Sequence, residues 1–226
     1  MLDGTRAVVR EGLRDRAYGQ DYRPTIVDRF GVWLSARQIR RHAGSMVGKR
    51  IGDFGCGYHA EFIRTVLPQI EQAVLVDSAL AADLRSCPKV IAMEGLLPNI
   101  LEEVAPASLD VVLCISVLEH MWDPLALLRH CVRIVRPEGI CLFNVPSWRG
   151  KKFLEYSAFR LGLSPMREMD DHKNYYDVRD LWPLLVRAGF LPSRIHCFSH
   201  KFGLNTFAVC RSSAAQRGRR EGPDEV

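Results

Sequence analysis

No stretch of this sequence is apolar for long enough to cross a bilayer. The longest candidate, around Leu109 to Leu118, carries Asp110 and Ser116 and falls far short of a span. The first residues, Met1 to Arg16, are too charged for a secretory leader. There is no internal repeat and no long linker. Seven cysteines are present, but none forms a CxxC pair or a Cys/His cluster at zinc spacing. Neither a disulfide framework nor a bound metal is therefore expected. The odd, scattered set points to a reducing cytoplasm, and Cys114, Cys141 and Cys210 lie in apolar runs where a thiol behaves as a small buried hydrophobe. Excess charge is scarce too. The net charge is +5, and part of it sits in the terminal stretch Arg211 to Arg220. The rest is only mildly basic, so no nucleic-acid partner is expected.

What is present reads as one globular domain. The 226 residues are 47% hydrophobic and 25% charged, which suits a single α/β core. From about Arg50 short β-rich runs alternate with helical patterns, as in a mostly parallel sheet with helices on both faces. The predicted strands are Arg50–Phe54, Ala73–Asp77, Lys89–Met93, Leu109–Ile115, Gly139–Val145, Arg194–Ser199 and Thr206–Cys210. The last two form a hairpin about Gly203, which gives a seven-stranded sheet one antiparallel strand near the C-terminus. The expected whole is a Rossmann-like three-layer sandwich. Predicted helices span Pro24 to Arg41, the stripe Phe62, Ile63, Val66 and Leu67, the segment from Asp123-Pro124 to the Pro137–Gly139 turn, and Asp177 or Asp180 to Ala188. Pro183 fits the first turn of the last helix if Asp180 is its cap, and otherwise kinks it. The expected organisation is a helical segment over residues 1–49, a ligand-binding domain over 50–211 with a lid insertion at about 147–176, and a disordered tail over 212–226.

The chemistry concentrates in Arg50-Ile51-Gly52-Asp53-Phe54-Gly55-Cys56-Gly57-Tyr58-His59-Ala60. A strand enters a glycine turn and then a helix, so backbone can pass close to a ligand where any side chain would collide. Gly55-x-Gly57-x-x-Ala60 alone also satisfies the dinucleotide pattern. Asp53, at the strand end, suits a cationic ligand better than a pyrophosphate. Asp77 closes the apolar strand Val74-Leu75-Val76, where a carboxylate can accept ribose hydroxyls or merely cap the next helix. The fourth strand runs into Cys114-Ile115-Ser116-Val117-Leu118-Glu119-His120.

With these landmarks in order, the chain resembles the class I S-adenosylmethionine methyltransferases, especially the small-molecule group often called methyltransferase type 11. Asp53-Phe54-Gly55-Cys56-Gly57 is similar to the first motif of that family. Ser116-Val117-Leu118-Glu119-His120 before Asp123-Pro124 is similar to its fourth. Arg136-Pro137-Glu138-Gly139 and Leu181 to Phe190 are similar to its late turn and late helix. The resemblance covers roughly Arg50 to Cys210. It implies that Asp53, Gly55, Cys56 and Gly57 line the methionine end of S-adenosyl-L-methionine, with Asp77 on the ribose and Ser78 against the adenine. It further places Glu94 and Gly95 near the adenine amino group, and Ile115 and Ser116 beneath the cofactor. Glu94 also reads as ordinary turn chemistry, and Ser78 as a cap. His59 stands where many relatives have a third glycine, and Glu138 replaces the first glycine of the late turn.

The implied activity is methyl transfer to an oxygen or nitrogen of a small molecule or biosynthetic intermediate, such as a sugar, lipid-linked or secondary metabolite. Open alternatives are an RNA or protein methyltransferase and a non-catalytic S-adenosylmethionine-binding protein. An oxygen nucleophile benefits from a base near neutrality. His120, after the fourth strand, and His172, in Asp170-Asp171-His172-Lys173-Asn174-Tyr175-Tyr176, are the candidates. His120 also reads as a loop-orienting residue, and His172 as a solvated one. Tyr18, Tyr22 and Arg23 are candidates for folding over the methionine moiety. The aromatic and basic residues Trp148, Arg149, Lys151, Lys152, Phe153, Tyr156, Phe159 and Arg160 suit an acceptor with an anionic or flat part, or pack a lid. The chain is expected to act as a monomer or homodimer.

Overall fold

The computed structural model describes residues 17–20, 26–153 and 172–213. Tyr22, Arg23, Tyr156, Phe159, Arg160, Asp170, Asp171 and most of the expected tail lie outside the described residues.

Seven strands form one sheet: β1 (Arg50–Phe54), β2 (Gln72–Asp77), β3 (Val90–Glu94), β4 (Leu109–Ile115), β5 (Val135–Pro146), β6 (Ile195–His200) and β7 (Asn205–Arg211). Their order across the sheet is β3-β2-β1-β4-β5-β7-β6. β7 runs antiparallel to both β5 and β6, and the other pairs are parallel. The α/β sandwich with one reversed strand is thus as expected.

The central strands are apolar at nearly every position because both faces are covered. The period of two is visible in what each residue packs against. Ile51, Ala73, Leu75, Val111, Leu113, Ile140, Leu142, Phe207 and Val209 join one core, with α1 (Ile26–Ala43), α2 (Glu61–Val66) and α3 (Ala82–Arg85). Phe54, Val74, Val76, Val112, Cys114, Cys141, Phe143, Ala208 and Cys210 join the other, with α4 (Pro124–Ile134) and α5 (Val178–Ala188). Connections leave β1 and β4 in opposite directions across the sheet. Their C-terminal ends therefore open a crevice, the place where open α/β sheets bind ligands.

Local chemistry sets the helix ends. The Asp123 carboxylate accepts the Leu125 and Ala126 amides at 3.0 and 3.2 Å, with Pro124 at the first helical position. Asp177 caps α5 in a reciprocal box with Asp180, and Gly189 ends it at φ 112°. Since Asp177 is the cap, Pro183 lies beyond the first turn, inside the helix.

Two expectations need correcting. α4 stops at Ile134, not at the Pro137–Gly139 turn, because Val135 already pairs with Leu109. Residues 136–139 then form a register shift before Val111 meets Ile140. Pro137 disfavours helix at its predecessor, and Glu138 takes the left-handed conformation at φ 60°. The third strand also reaches Glu94, one residue past its expected end.

Asp110 fastens this irregular corner. It is buried, its Oδ2 accepts the Arg50 amide at 2.7 Å, and its carboxylate pairs with the Arg136 guanidinium. Asp110→Ala leaves the first N–H of β1 without its charged acceptor, and should lower unfolding stability by about 2–3 kcal/mol. The Arg136 side chain is 55% exposed, so Arg136→Ala should cost less than about 1 kcal/mol. Urea denaturation of the two variants tests the ranking; equal losses would contradict it.

Candidate functional site

The turn after β1 depends on two glycines in the left-handed region, Gly55 at φ 77° and Gly57 at φ 72°. A Cβ on Gly55 would lie 2.3 Å from Val117 Cγ2, in the turn after β4, so the two strand ends touch at the crevice. The Gly55 amide donates to the Val76 carbonyl at 2.7 Å, and the Gly57 amide donates to Asp77 Oδ2 at 2.7 Å. Asp77 Oδ1 accepts from the Ser78 amide at 2.8 Å and its hydroxyl at 3.2 Å. The end of β2 thus holds the turn after β1 from the side. A carboxylate has about four lone-pair sites, so Asp77 retains capacity for a ligand.

Over this edge lies a cavity of about 540 Å³. Its lining includes nine of the ten candidate cofactor residues: Asp53, Gly55, Cys56, Gly57, Asp77, Ser78, Gly95, Ile115 and Ser116. Glu94 is the exception. Its Oε1 accepts the Leu80 amide at 2.7 Å and its Oε2 faces Arg85 at 3.5 Å, so it holds the loop after β2. His59 lines the cavity with an ordinary backbone; the left-handed residue is its neighbour Ala60, at φ 43°. Ser116 is itself left-handed at φ 59°, its amide held by the Asn144 carbonyl at 2.8 Å. Strain of that kind concentrates at functional sites.

Asp53 is the electrostatic centre of this end. Burial, then the nearby Asp77 charge, push its carboxyl from the ordinary 3.8 up to about 7. Burial also pushes the Cys56 thiol up, with Asp53 and Asp77 adding to it.

The far end is built from three elements. Glu119 and His120 lie in the short 3-10 turn Leu118–His120 after β4. The segment carrying His172 docks on it: the Lys173 and Asn174 amides donate to the Glu119 carbonyl at 2.7 and 3.1 Å, and Asn174 Nδ2 donates to the Met121 carbonyl at 2.8 Å. The His120 and His172 rings stand 4.9 Å apart, and both line the cavity. Lys201, in the turn between β6 and β7, lines it as well. Burial lowers its ammonium to about 8, against a raising influence from Glu119. Lys201 and Phe202 are both left-handed, at φ 48° and 58°.

Sequence reasoning missed the roof. Asp28, Gly31, Val32, Ser35, Ala36 and Ile39 of α1 line the cavity, at the three-and-four spacing of one helical face. That spacing was there to be read, but small and polar residues hid it. Lys201 and Glu119 were also not singled out. Of the proposed lid, Phe153 lines the cavity, while Trp148 packs 5.6 Å from Tyr175, with the Lys151 ammonium over both rings. Tyr18 lines the cavity, and its carbonyl accepts the Tyr58 amide at 2.9 Å.

A family profile described as a methyltransferase domain matches residues 29–191. A Mycobacterium tuberculosis protein named as a probable S-adenosylmethionine-dependent methyltransferase is 30% identical over 173 residues, 73% of this chain and 58% of that one. The chain thus spans less than two thirds of that relative. The ubiquinone biosynthesis O-methyltransferase of Neisseria meningitidis is 27% identical over 188 residues, 77% of each chain. That of Ralstonia nicotianae is 32% identical over 158 residues, 66% of each. Among solved structures, a SAM-dependent methyltransferase from Archaeoglobus fulgidus superposes with TM-score 0.58 at 16% identity, over 80% of this chain and 94% of that one. An O-methyltransferase family protein from Burkholderia thailandensis gives 0.55 at 16%, over 80% and 57%. These structural likenesses concern the fold.

The raised Asp53 carboxyl has a testable consequence in the ligand-free protein. Its folded value lies above the unfolded one, so the native state holds the proton more tightly. Its contribution is intact below about pH 4 and is lost as pH rises through about 7. Asp53→Asn should therefore match the parent near pH 4 and exceed it by roughly 2–4 kcal/mol at pH 8. Unfolding curves across that range measure it, and a constant difference would refute the assignment.

Proposed function

This chain belongs to the class I S-adenosylmethionine-dependent methyltransferase family, and we propose that it moves a methyl group from S-adenosylmethionine to a hydroxyl oxygen of a small molecule. One observation carries the reading. A single cavity, of the size that small-molecule sites have, joins a glycine turn flanked by Asp53 and Asp77 to an acceptor end holding Glu119, His120 and His172.

The residues fit the nucleoside. Gly55 and Gly57 keep open the space where a Cβ would meet Val117 or the Tyr18 carbonyl. Asp77 has one lone pair left, on Oδ2, for a ribose hydroxyl, with Ser78 beside it. A cationic group next to Asp53 would offset the cost of ionising a buried carboxylate, which a pyrophosphate would raise. Cys56 would then wall the methionine end, Gly95 the adenine end, and Ile115 and Ser116 would lie beneath. Glu94 acts at one remove, by positioning the loop at Leu80.

When bound, S-adenosylmethionine supplies a methyl group on positively charged sulfur. The chain must align an oxygen with that carbon, exclude water and take up the hydroxyl proton. α1 covers the cavity from one side. His120 and His172 are the groups in place to accept the proton, since imidazole works near neutrality. Lys201 gives the acceptor end a cation, which suits a hydroxylated acceptor bearing an acidic or flat portion. The relatives named as O-methyltransferases support oxygen as the nucleophile. All seven cysteines are free, which supports work in a reducing compartment such as the cytoplasm. No described helix is long and apolar enough to cross a membrane.

Calorimetry with S-adenosylhomocysteine tests the cofactor end. Asp77→Ala should weaken binding about 10- to 100-fold, the worth of a hydrogen bond to a charged group. Incubation with methyl-labelled S-adenosylmethionine and cell extract, followed by mass spectrometry, should yield a labelled methyl ether. Absence of any affinity for the nucleoside would sink the proposal.

A further inference from the structure

Glu119, His120 and His172 come together at the acceptor end, with one ligating atom of each lying within 4.8 Å of the other two. We propose that they form a site for a divalent transition-metal ion, Zn²⁺ or Mn²⁺ in class, that holds the acceptor's oxygen. The inference rests on the methyltransferase reading for its purpose, but not for its geometry.

The donor set is a carboxylate with two imidazoles. That combination suits borderline divalent ions, while Mg²⁺ and Ca²⁺ prefer oxygen alone. Metal–ligand bonds of about 2.0–2.2 Å put neighbouring donors roughly 3–3.6 Å apart, so side-chain rotation closes the remaining gap. The backbone is already in place, because two amides of the His172 segment are bonded to the carbonyl of Glu119 itself. Glu119 is also buried, at 2% exposure, unlike the acidic groups that cluster on surfaces without binding anything. A carboxylate in that setting is stabilised by a nearby cation.

The surroundings supply what a metal-bound histidine needs. His172 Nδ1 lies 3.3 Å from the Tyr175 hydroxyl. With its proton on Nδ1 and donated to that oxygen, the ring keeps a lone pair on Nε2 for the ion, the arrangement that usually orients histidine ligands. Tyr175 is itself buried, against Trp148. Three protein ligands facing a cavity leave coordination positions open, as catalytic metal sites do. An ion there would lower the pKa of an acceptor hydroxyl so that its proton passes to water in the cavity; His120 and His172 would take up that proton themselves only in the metal-free chain. The pattern is invisible in sequence spacing because His172 arrives from beyond β5, far along the chain from the adjacent pair. Lys201 shares this end and is electrostatically coupled to Glu119, so it is the cation an incoming ion would compete with.

The test uses the full chain, freed of any affinity tag and stripped with a chelator. Titration with Zn²⁺ and Mn²⁺ by calorimetry should show one ion per chain. Glu119→Gln, His120→Ala and His172→Ala should each weaken binding at least tenfold, and Lys201→Met should tighten it. S-adenosylhomocysteine affinity in the same variants should stay within about threefold, which shows that they fold. Cobalt(II) added to the unsubstituted chain should give visible d–d bands without thiolate charge transfer, since the cysteines lie elsewhere. Lack of ion binding, binding unchanged in all three ligand variants, or a thiolate band would overturn the proposal. A wild-type chain that binds metal but not S-adenosylhomocysteine would instead remove the methyltransferase reading and leave the metal site standing.

Discussion

A hydrogen bond of 2.7 Å, from the amide of Gly57 to the carboxylate of Asp77, ties the turn after β1 to the end of β2. It uses up a backbone donor that a glycine-rich turn would otherwise leave exposed, and it turns a potential ribose acceptor into part of the scaffold. The parallel register of β1 and β2 brings Phe54 beside Val76 and so sets the two groups within reach. Removing Asp77 therefore acts on the shape of the turn as well as on contact with a ligand.

Around that fixed point the site is arranged by charge. Asp53 sits at the glycine-turn end, where burial and a like charge hold its proton late. Glu119 sits at the other end, buried as well, but among imidazoles and near an ammonium. Two buried acids in opposite settings would favour a positive ligand at one end and suit proton or metal chemistry at the other. Separating titratable groups by environment is how one fold can bind a cation and handle a proton in the same space.

The strands were legible in sequence because the central ones are covered on both faces, so apolar runs such as Val111 to Ile115 had no competing explanation. The glycine turn and its acids were legible for a related reason: close backbone approach leaves few residue choices. Other features were not legible, and each for a physical cause. The covering face of α1 mixes Val32 and Ile39 with Asp28, Gly31, Ser35 and Ala36, so its apolar signal is diluted. Lys201 and Phe202 turn the chain in a conformation usually marked by glycine. Glu94 was read by position, which could not show that its Oε1 also accepts the Leu80 amide. Glu119 was visible only as a letter in a motif, because its meeting with His172 depends on the docking of a distant segment.

The contact between Gly55 and Val117 carries a consequence for the whole cleft. The space at Gly55 is closed to even a single methyl group by the valine that immediately precedes the Leu118–His120 turn. A shift of the first turn toward β4 would meet that valine, at the base of the second. A ligand on the glycine turn and one on the Leu118–His120 turn would lean on this one seam from opposite sides. Thermodynamic reciprocity requires any influence between them to run equally in both directions.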